Sequence, residues 1–146
     1  MRFIITARPG ENGQPPRADA PIDLDLMRAQ MRFNEEMYKA GVLVASEGLN
    51  PGGHGARIEV RKGKRAVVDG PFAESKELVG GFYIVEVKSL DEAISWALRC
   101  PLGLGFDNVL EIRPLTAMTD IPSDLLALAR KVAPAWTASV TRTRRS

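Results

Sequence analysis

The sequence predicts an α+β fold in which two helices cover one face of a mostly antiparallel sheet. The prediction rests on short β-type apolar runs along the chain, on amphipathic stretches with helix-capping signals, and on a charged–apolar alternation around a Lys-Gly turn. The chain has 146 residues, of which 45% are hydrophobic and 26% are charged, and this fits one soluble domain with an ordinary core.

The N-terminal part predicts a strand, a long loop and a helix. Phe3–Ile5 form the first strand, and residues 8–21 form a loop rich in proline, glycine and polar residues. A loop of that length is either a flap over a site or a mobile excursion. The helix runs from about Asp23 to Ala40, because Asp23 or Asp25 can cap its start and Gly41 suits the position that follows a helix end.

Two polar residues of this helix, Gln30 and Asn34, fall on its apolar half. Polar groups on an apolar face need hydrogen-bond partners or water. Their side chains therefore either line a pocket or lie at the rim of the packed face.

The rest of the chain predicts further strands and helices, with Tyr83 and Val85 on one face of their strand. The predicted elements are a strand at 41–49, a hairpin of strands 57–61 and 65–68 around Lys62-Gly63-Lys64, a strand at 81–87, a helix from a capping box at Ser89–Glu92 to a stop at Pro101, a strand at 109–112, and a helix at 124–132 capped by Ser123. A strand–helix–strand unit at each end favours a ferredoxin-like arrangement with the hairpin inserted in the middle.

Composition and charge argue against several functional classes. The net charge of +2 is too small to indicate a nucleic-acid partner, and the basic end at 141–146 is either a solvated terminus or a binding arm. Because Cys100 is the only cysteine, an internal disulfide is excluded and a cytoplasmic location is expected. No apolar run approaches the roughly 18 residues that a membrane helix needs.

The motifs of common cofactor and nucleophile chemistry are absent. GxxxxGK[ST] and GxSxG do not occur, and GLGFDN at 103–108 does not match GxGxxG. Zinc would need more imidazole and thiolate groups than the chain has, so no cofactor is expected, although a carboxylate-bound Mg²⁺ stays open. The Cys100–His54 pair is disfavoured, because a thiol at a helix C-terminus is hard to ionise and His54 lies in a glycine-rich loop.

Asp69 stands out because it ends an apolar strand just before a Gly-Pro turn. Partial burial would favour its protonated form and suit it to proton transfer, whereas a nearby Lys76 would favour its ionised form. Glu47, in another strand, is a candidate to share acid and base roles with it. The alternative is structural: Asp69 accepts backbone N–H groups of its own turn, and Glu74 forms a surface ion pair with Lys76.

Several motifs together resemble one family. They are DGPF at 69–72 followed by AESKE, GGFYIVEV, SLDEAISWALRCP and LEIRPL, with GVLVASEGLNP upstream. This pattern over about residues 1–115 is similar to the DGPF-domain branch of the YCII-related proteins. The resemblance implies a ferredoxin-like domain, a homodimer whose two sheets pack into an α/β barrel, and a cleft in each protomer. Residues 116–146 would then form an added C-terminal helix and a basic tail.

The resemblance also bears on function. The founding branch of the family carries a His–Asp pair proposed as an acid–base dyad, and its histidine position falls at or near Gln30, where this chain has no histidine. Members of the branch are often encoded beside sigma factors of the extracytoplasmic-function type, which implies a sigma factor as partner in a regulatory setting.

Two functions stay open. One is a module that binds a small molecule, with Gln30, Phe72, Lys76 and Tyr83 as ligand-binding residues, and reports to a partner. The other is a cofactor-free enzyme that uses Asp69 as acid or base on a small organic substrate, assisted by Glu47, Tyr83 or Lys76. A purely structural role would not explain the Asp-Gly-Pro-Phe turn.

Overall fold

The computed structural model describes residues 1–13, 19–50, 55–70, 79–102 and 107–142. By contacts the chain divides into two compact units, Met1–Leu115 and Thr116–Ser146. The elements in chain order are β1 (Arg2–Pro9), α1 (Leu24–Lys39), β2 (Leu43–Gly48), β3 (Ala56–Arg61), β4 (Lys64–Asp69), β5 (Gly81–Glu86), α2 (Leu90–Ala97), β6 (Asn108–Pro114), a 3₁₀ turn (Met118–Asp120), α3 (Ser123–Val132) and α4 (Pro134–Arg142).

The first unit is built on a four-stranded antiparallel sheet in the order β2-β5-β1-β6. In this order the strands of the two strand–helix–strand units, β1 and β2 of the first and β5 and β6 of the second, alternate across the sheet. The arrangement confirms the predicted α+β class and is consistent with a ferredoxin-like fold. Strands β3 and β4 form a separate two-stranded sheet, as the predicted inserted hairpin requires.

Helix α1 begins and ends where its local sequence dictates. The Asp23 carboxylate accepts hydrogen bonds from the backbone N–H groups of Asp25 and Leu26, at 3.1 and 3.0 Å. Gly41 follows the helix with a φ of 70°, a conformation that glycine adopts without the strain of a Cβ atom. Phe33 and Met37, one turn apart on α1, are both buried. The predicted cap and stop are confirmed.

Helix α2 has a modified capping box. The Ser89 hydroxyl accepts from the backbone N–H of Glu92 at 3.2 Å, as predicted. The Glu92 carboxylate, however, accepts from the N–H of Lys88 at 2.8 Å. Buried Ala93 and Ala97 then let the helix approach the sheet closely.

The core lies between the two helices and one face of the four-stranded sheet, which we call the helix side. It consists of Phe3, Ile5, Phe33, Met37, Val42, Val85, Val87, Ala93 and Ala97. The opposite face, which we call the second face, carries partly buried Ile4, Phe82 and Ile84 by strand alternation. The prediction that Tyr83 and Val85 lie on the same face of their strand is confirmed, because both side chains pack on the helix side.

The β3–β4 hairpin turns tightly at Lys62 and Gly63, whose φ angles are 49° and 76°. Two consecutive residues with positive φ are typical of the turns that match the twist of a two-stranded ribbon. At its base, the Gly70 N–H donates to the Gly55 carbonyl at 2.8 Å.

The second unit differs from prediction in two ways. Helix α3 begins at Ser123, with Pro122 as the preceding residue and no side-chain cap, so the expectation that Ser123 is the cap was wrong. A further helix, α4, follows almost at once, and its first residue is Pro134. Proline is favoured at the first helical position because its missing N–H is not needed there, and that signal was available in the sequence.

Candidate functional site

Polar side chains meet on the helix side of the sheet, between α1, β2 and β5. We call Asn34, Ser46, Tyr83 and Cys100 the helix-side cluster. The Asn34 amide nitrogen donates to the Ser46 hydroxyl at 3.3 Å. Ser46 is the cross-strand partner of Tyr83, so both side chains project from the same face as neighbours. Gln30 lies one turn before Asn34 on α1 and is partly buried.

The Asn34 amide oxygen is buried and has no hydrogen-bond partner among the described residues. In this orientation the amide nitrogen is bonded to Ser46 and the amide oxygen is left without a donor in the described part of the chain. A buried polar group without a partner costs about 1–3 kcal/mol, which a bound molecule or water with a matching group would offset.

Tyr83 supplies a neutral hydroxyl to this cluster. Its ring packs edge-on against Phe33, with 5.8 Å between ring centroids and an interplanar angle of 86°. Burial, assisted by the neighbouring Cys100 thiol, raises the pKa of the Tyr83 hydroxyl to about 12. Tyr83 is therefore protonated at neutral pH and acts as a hydrogen-bond donor, which makes it a poor general base.

Cys100 is also held in its neutral form. Burial raises the pKa of its thiol, and the hydrogen bond from Tyr83 opposes this shift only in part. The Sγ atom lies 3.8 Å from the Pro101 carbonyl oxygen, with which it forms a weak contact. The thiol is thus hard to ionise, as predicted, although burial is the cause in place of the helix dipole. His54 lies outside the described residues.

Aromatic side chains pack next to Tyr83 of the cluster. Trp96 packs on Phe33 with 6.1 Å between ring centroids, and the Arg99 guanidinium lies 4.8 Å above the Trp96 ring. Arg99 also pairs with Glu36 of α1. This exposed pair adds little stability, but it ties α2 to α1 beside Tyr83.

Glycines let two backbones approach closely at the end of β2 and β5. A Cβ atom on Gly81 would lie 2.9 Å from the carbonyl oxygen of Glu47, whereas one on the opposite Gly48 would meet nothing within 4 Å. At Gly81 the structure shows close approach of a backbone.

Glu47 is not part of the helix-side cluster. It is exposed and lies opposite Phe82, on the second face of the sheet. The cause is a bulge in β2: Leu43 pairs with Val85, but Ala45, and no longer Val44, pairs with Ile84. The extra residue turns Ser46 toward α1 and Glu47 away from it.

Asp69 is the last residue of β4, as predicted, and lies opposite Ala56 in the hairpin. Its side chain is exposed in the single chain. The turn that follows, with the predicted site residues Phe72 and Lys76, lies outside the described residues. The role of Asp69 therefore stays a prediction.

Within the described ranges, no group of three or more His, Cys, Asp and Glu side chains is arranged to hold a metal ion. In the same part of the chain, none of the helices combines the length and the apolar character needed to cross a membrane.

Sequence reasoning missed Ser46 and the contact between Tyr83 and Cys100. Asn34 was marked by its place on the apolar half of α1, which is a usable signal. Ser46 carried no such signal, because simple alternation from Leu43 would place it on the second face.

Comparison with known proteins identifies the family. The model of the YCII-related domain matches residues 1–119 of the chain. An uncharacterised protein of Rhizobium meliloti strain 1021 is 35% identical over 97 residues, which cover 66% of this chain and 75% of the relative. The match to the family model includes the sheet, its two helices and the helix-side cluster. The chain therefore belongs to the YCII-related family.

Proposed function

We propose that this protein binds a small, uncharged organic molecule at the helix-side cluster. The observation that carries the proposal is the buried amide oxygen of Asn34, to which no described residue donates. The amide nitrogen is bonded to Ser46, the cross-strand neighbour of Tyr83. A ligand with a donor for the amide oxygen, and with an oxygen that accepts the Tyr83 proton in place of the weaker sulfur acceptor of Cys100, would engage both groups.

The remaining predicted ligand residues complete this proposal. Gln30 lies one turn from Asn34 and has a side chain that can both donate and accept. Phe72 and Lys76, in the segment that follows Asp69, would supply an apolar cover and a cation. We include Phe72 and Lys76 in the proposed site because they belong to the segment that begins with the DGPF motif at 69–72.

A homodimer is part of the same proposal. The second face of the sheet carries Ile4, Phe82 and Ile84, which are only partly buried in the single chain. Packing two such faces together would remove apolar surface from water, as the resemblance to dimeric barrel proteins implies. The single cysteine supports a cytoplasmic location, and the resemblance supports a sigma factor as the regulatory partner.

An acid–base enzyme without a cofactor is the second candidate. Its supporting observation is the exposed carboxylate of Asp69, the last residue of β4. Asp69 lies at the base of the hairpin, away from the turn, and is accessible to a substrate. In this case Asp69 would transfer a proton to or from a ligand held by Tyr83 and Asn34. Glu47 would assist only from the second face of the sheet.

A ligand screen by thermal shift tests the binding proposal. Uncharged metabolites that raise the melting temperature of the wild type should lose that effect in Asn34→Leu, because the ligand then has no amide partner. Asn12→Leu, at an exposed position of the N-terminal part, is the matched control and should keep the shift. Equal shifts in the two variants would refute the site.

The same ligands separate the two candidate functions. Each stabilising ligand is incubated with the wild type and with Asp69→Asn, and the product mixture is analysed by mass spectrometry. A binding module leaves the ligand unchanged in both. Turnover by the wild type that Asp69→Asn abolishes, with binding retained, would establish the enzyme instead.

A further inference from the structure

The second unit contains a cavity of its own, with a volume of about 250 Å³. It lies between the 3₁₀ turn, α3 and α4. Its lining residues are Met118, Ile121, Leu125, Leu126, Ala129, Trp136, Thr137 and Val140. Nearly all of them follow residue 119, where the match to the YCII-related domain ends. None of the residues of the helix-side cluster is among its lining residues.

The lining offers no free polar group to water. Thr137 is its only polar residue, and the Thr137 hydroxyl donates to the Ala133 carbonyl at 2.8 Å. No charged side chain takes part in the lining. A cavity that gives water no hydrogen-bond partners stays dry or takes up an apolar molecule.

The lining residues differ in exposure. Thr137 is 6% exposed, whereas Leu125 and Trp136 are 52% and 60% exposed. The exposed part of the lining gives a ligand an entry path, and the indole of Trp136 gives it a flat surface on which to stack.

The volume indicates the size of the occupant. An apolar cavity of about 150 Å³ is known to bind benzene, so a cavity of about 250 Å³ has room for a substituted ring or a short alkyl chain. A charged group would lose its hydration without gaining a partner here, which disfavours ionic ligands.

We propose that the second unit binds an uncharged aromatic or short alkyl group between α3 and α4, in contact with Trp136. This site does not depend on the function proposed for the first unit. It would give the C-terminal addition a ligand-binding role of its own.

Fluorine NMR of hexafluorobenzene, titrated with the full-length protein, tests this site. The wild type should show saturable binding. Ala129→Phe places a ring inside the cavity and should weaken binding at least about tenfold, a loss of about 1.4 kcal/mol. Ala127→Phe, on the same helix but exposed and outside the lining, adds the same ring as a matched control and should bind like the wild type.

A second readout and a second variant protect the test against misfolding. The chain has two tryptophans, so in Trp96→Phe the fluorescence reports Trp136 alone and should change on binding. Ala129→Met fills the cavity with a flexible side chain that a helix accepts readily, and it should weaken binding with circular dichroism unchanged. The proposal is overturned if the wild type shows no saturable binding, or if a folded Ala129 variant binds as well as Ala127→Phe.

Discussion

The four-stranded sheet and the β3–β4 hairpin are both antiparallel, yet they bury their apolar residues very differently. In the sheet, Phe3 and Val85 are fully buried beneath the two helices. In the hairpin, Ile58, Val60 and Val67 are 66%, 65% and 69% exposed. Strand formation alone therefore does not provide a core, and the stability of the first unit comes from the layer of helices on the sheet.

The hairpin register explains its exposed apolar face. Ile58 lies directly opposite Val67, and Val60 lies two residues along on the same face. The other face carries Glu59 with Arg61 at 2.6 Å. An isolated two-stranded ribbon of this kind is marginal in water, so we expect its geometry to depend on its turn and on contacts made in the assembled protein.

The largest difference between the two regions should appear when a buried side chain is truncated. Met37→Ala, which empties space beneath the sheet, should lower the free energy of unfolding by about 2–5 kcal/mol. Val67→Ala in the hairpin should change it by at most about 0.5 kcal/mol, because its side chain stays in water. Urea denaturation followed by circular dichroism measures both, and similar losses would show that the hairpin is part of the cooperative core.

A smaller effect is expected from backbone crowding at the edge of the helix-side cluster. Gly81→Ala should cost about 1–3 kcal/mol, because its Cβ would press on the Glu47 carbonyl oxygen. Gly48→Ala, directly across the strand pair, meets no atom within 4 Å and should be neutral within about 0.5 kcal/mol. Thermal melting of the two variants distinguishes them, and an unchanged melting temperature for Gly81→Ala would contradict the close approach.

The pH dependence of stability should report the environment of Tyr83. The folded-state pKa of about 12 lies above the unfolded value of about 10. The unfolded chain therefore loses this proton first, so the contribution of Tyr83 is present below about pH 10 and is lost as the pH rises toward about 12.

Comparison of wild type and Tyr83→Phe isolates this effect. Between about pH 10 and 12 the stability of the wild type should fall more steeply than that of Tyr83→Phe. The difference in phenolate absorbance between the two proteins, recorded against pH, gives the ionisation of Tyr83 directly. Ionisation at the value of a free tyrosine would mean that its hydroxyl is not buried.

The smallest effect is expected for polar substitution on the hairpin face. Ile58→Thr keeps a β-branched side chain and a similar shape, so monomer stability should change by at most about 0.5 kcal/mol. Dissociation of the proposed homodimer, measured by sedimentation over a range of concentrations, shows whether this face is covered in it. If Ile58→Thr changes the dissociation constant but not the stability of the monomer, the apolar hairpin face is part of the interface. If neither quantity changes, this face is exposed to solvent.

Features that depend on neighbouring residues were predictable from the sequence. The Asp23 cap, the Gly41 stop and the Lys62-Gly63 turn each follow from a residue that satisfies a backbone group or permits a positive φ. The same holds for Ser89, whose hydroxyl caps α2. The order of the elements then followed from these boundaries.

Features that depend on register were not predictable. One extra residue near Val44 decides which of Ser46 and Glu47 faces α1, and no local preference marks that residue as a bulge. The contact of Tyr83 with Cys100 joins residues that are far apart in sequence, so it required the packing of α2 on the sheet. Within the helix-side cluster, the sequence therefore drew attention to Asn34 and Tyr83 but not to Ser46.

The central claim is that the unsatisfied amide of Asn34, near Tyr83, is part of a binding site. Its most direct test is amide NMR of the protein with the most strongly stabilising ligand from the screen. We predict that the side-chain amide of Asn34 and the backbone amides of Ser46 and Tyr83 shift together and saturate with one dissociation constant. An unshifted Asn34 amide, with the changes confined to the hairpin or to residues 116–142, would contradict it.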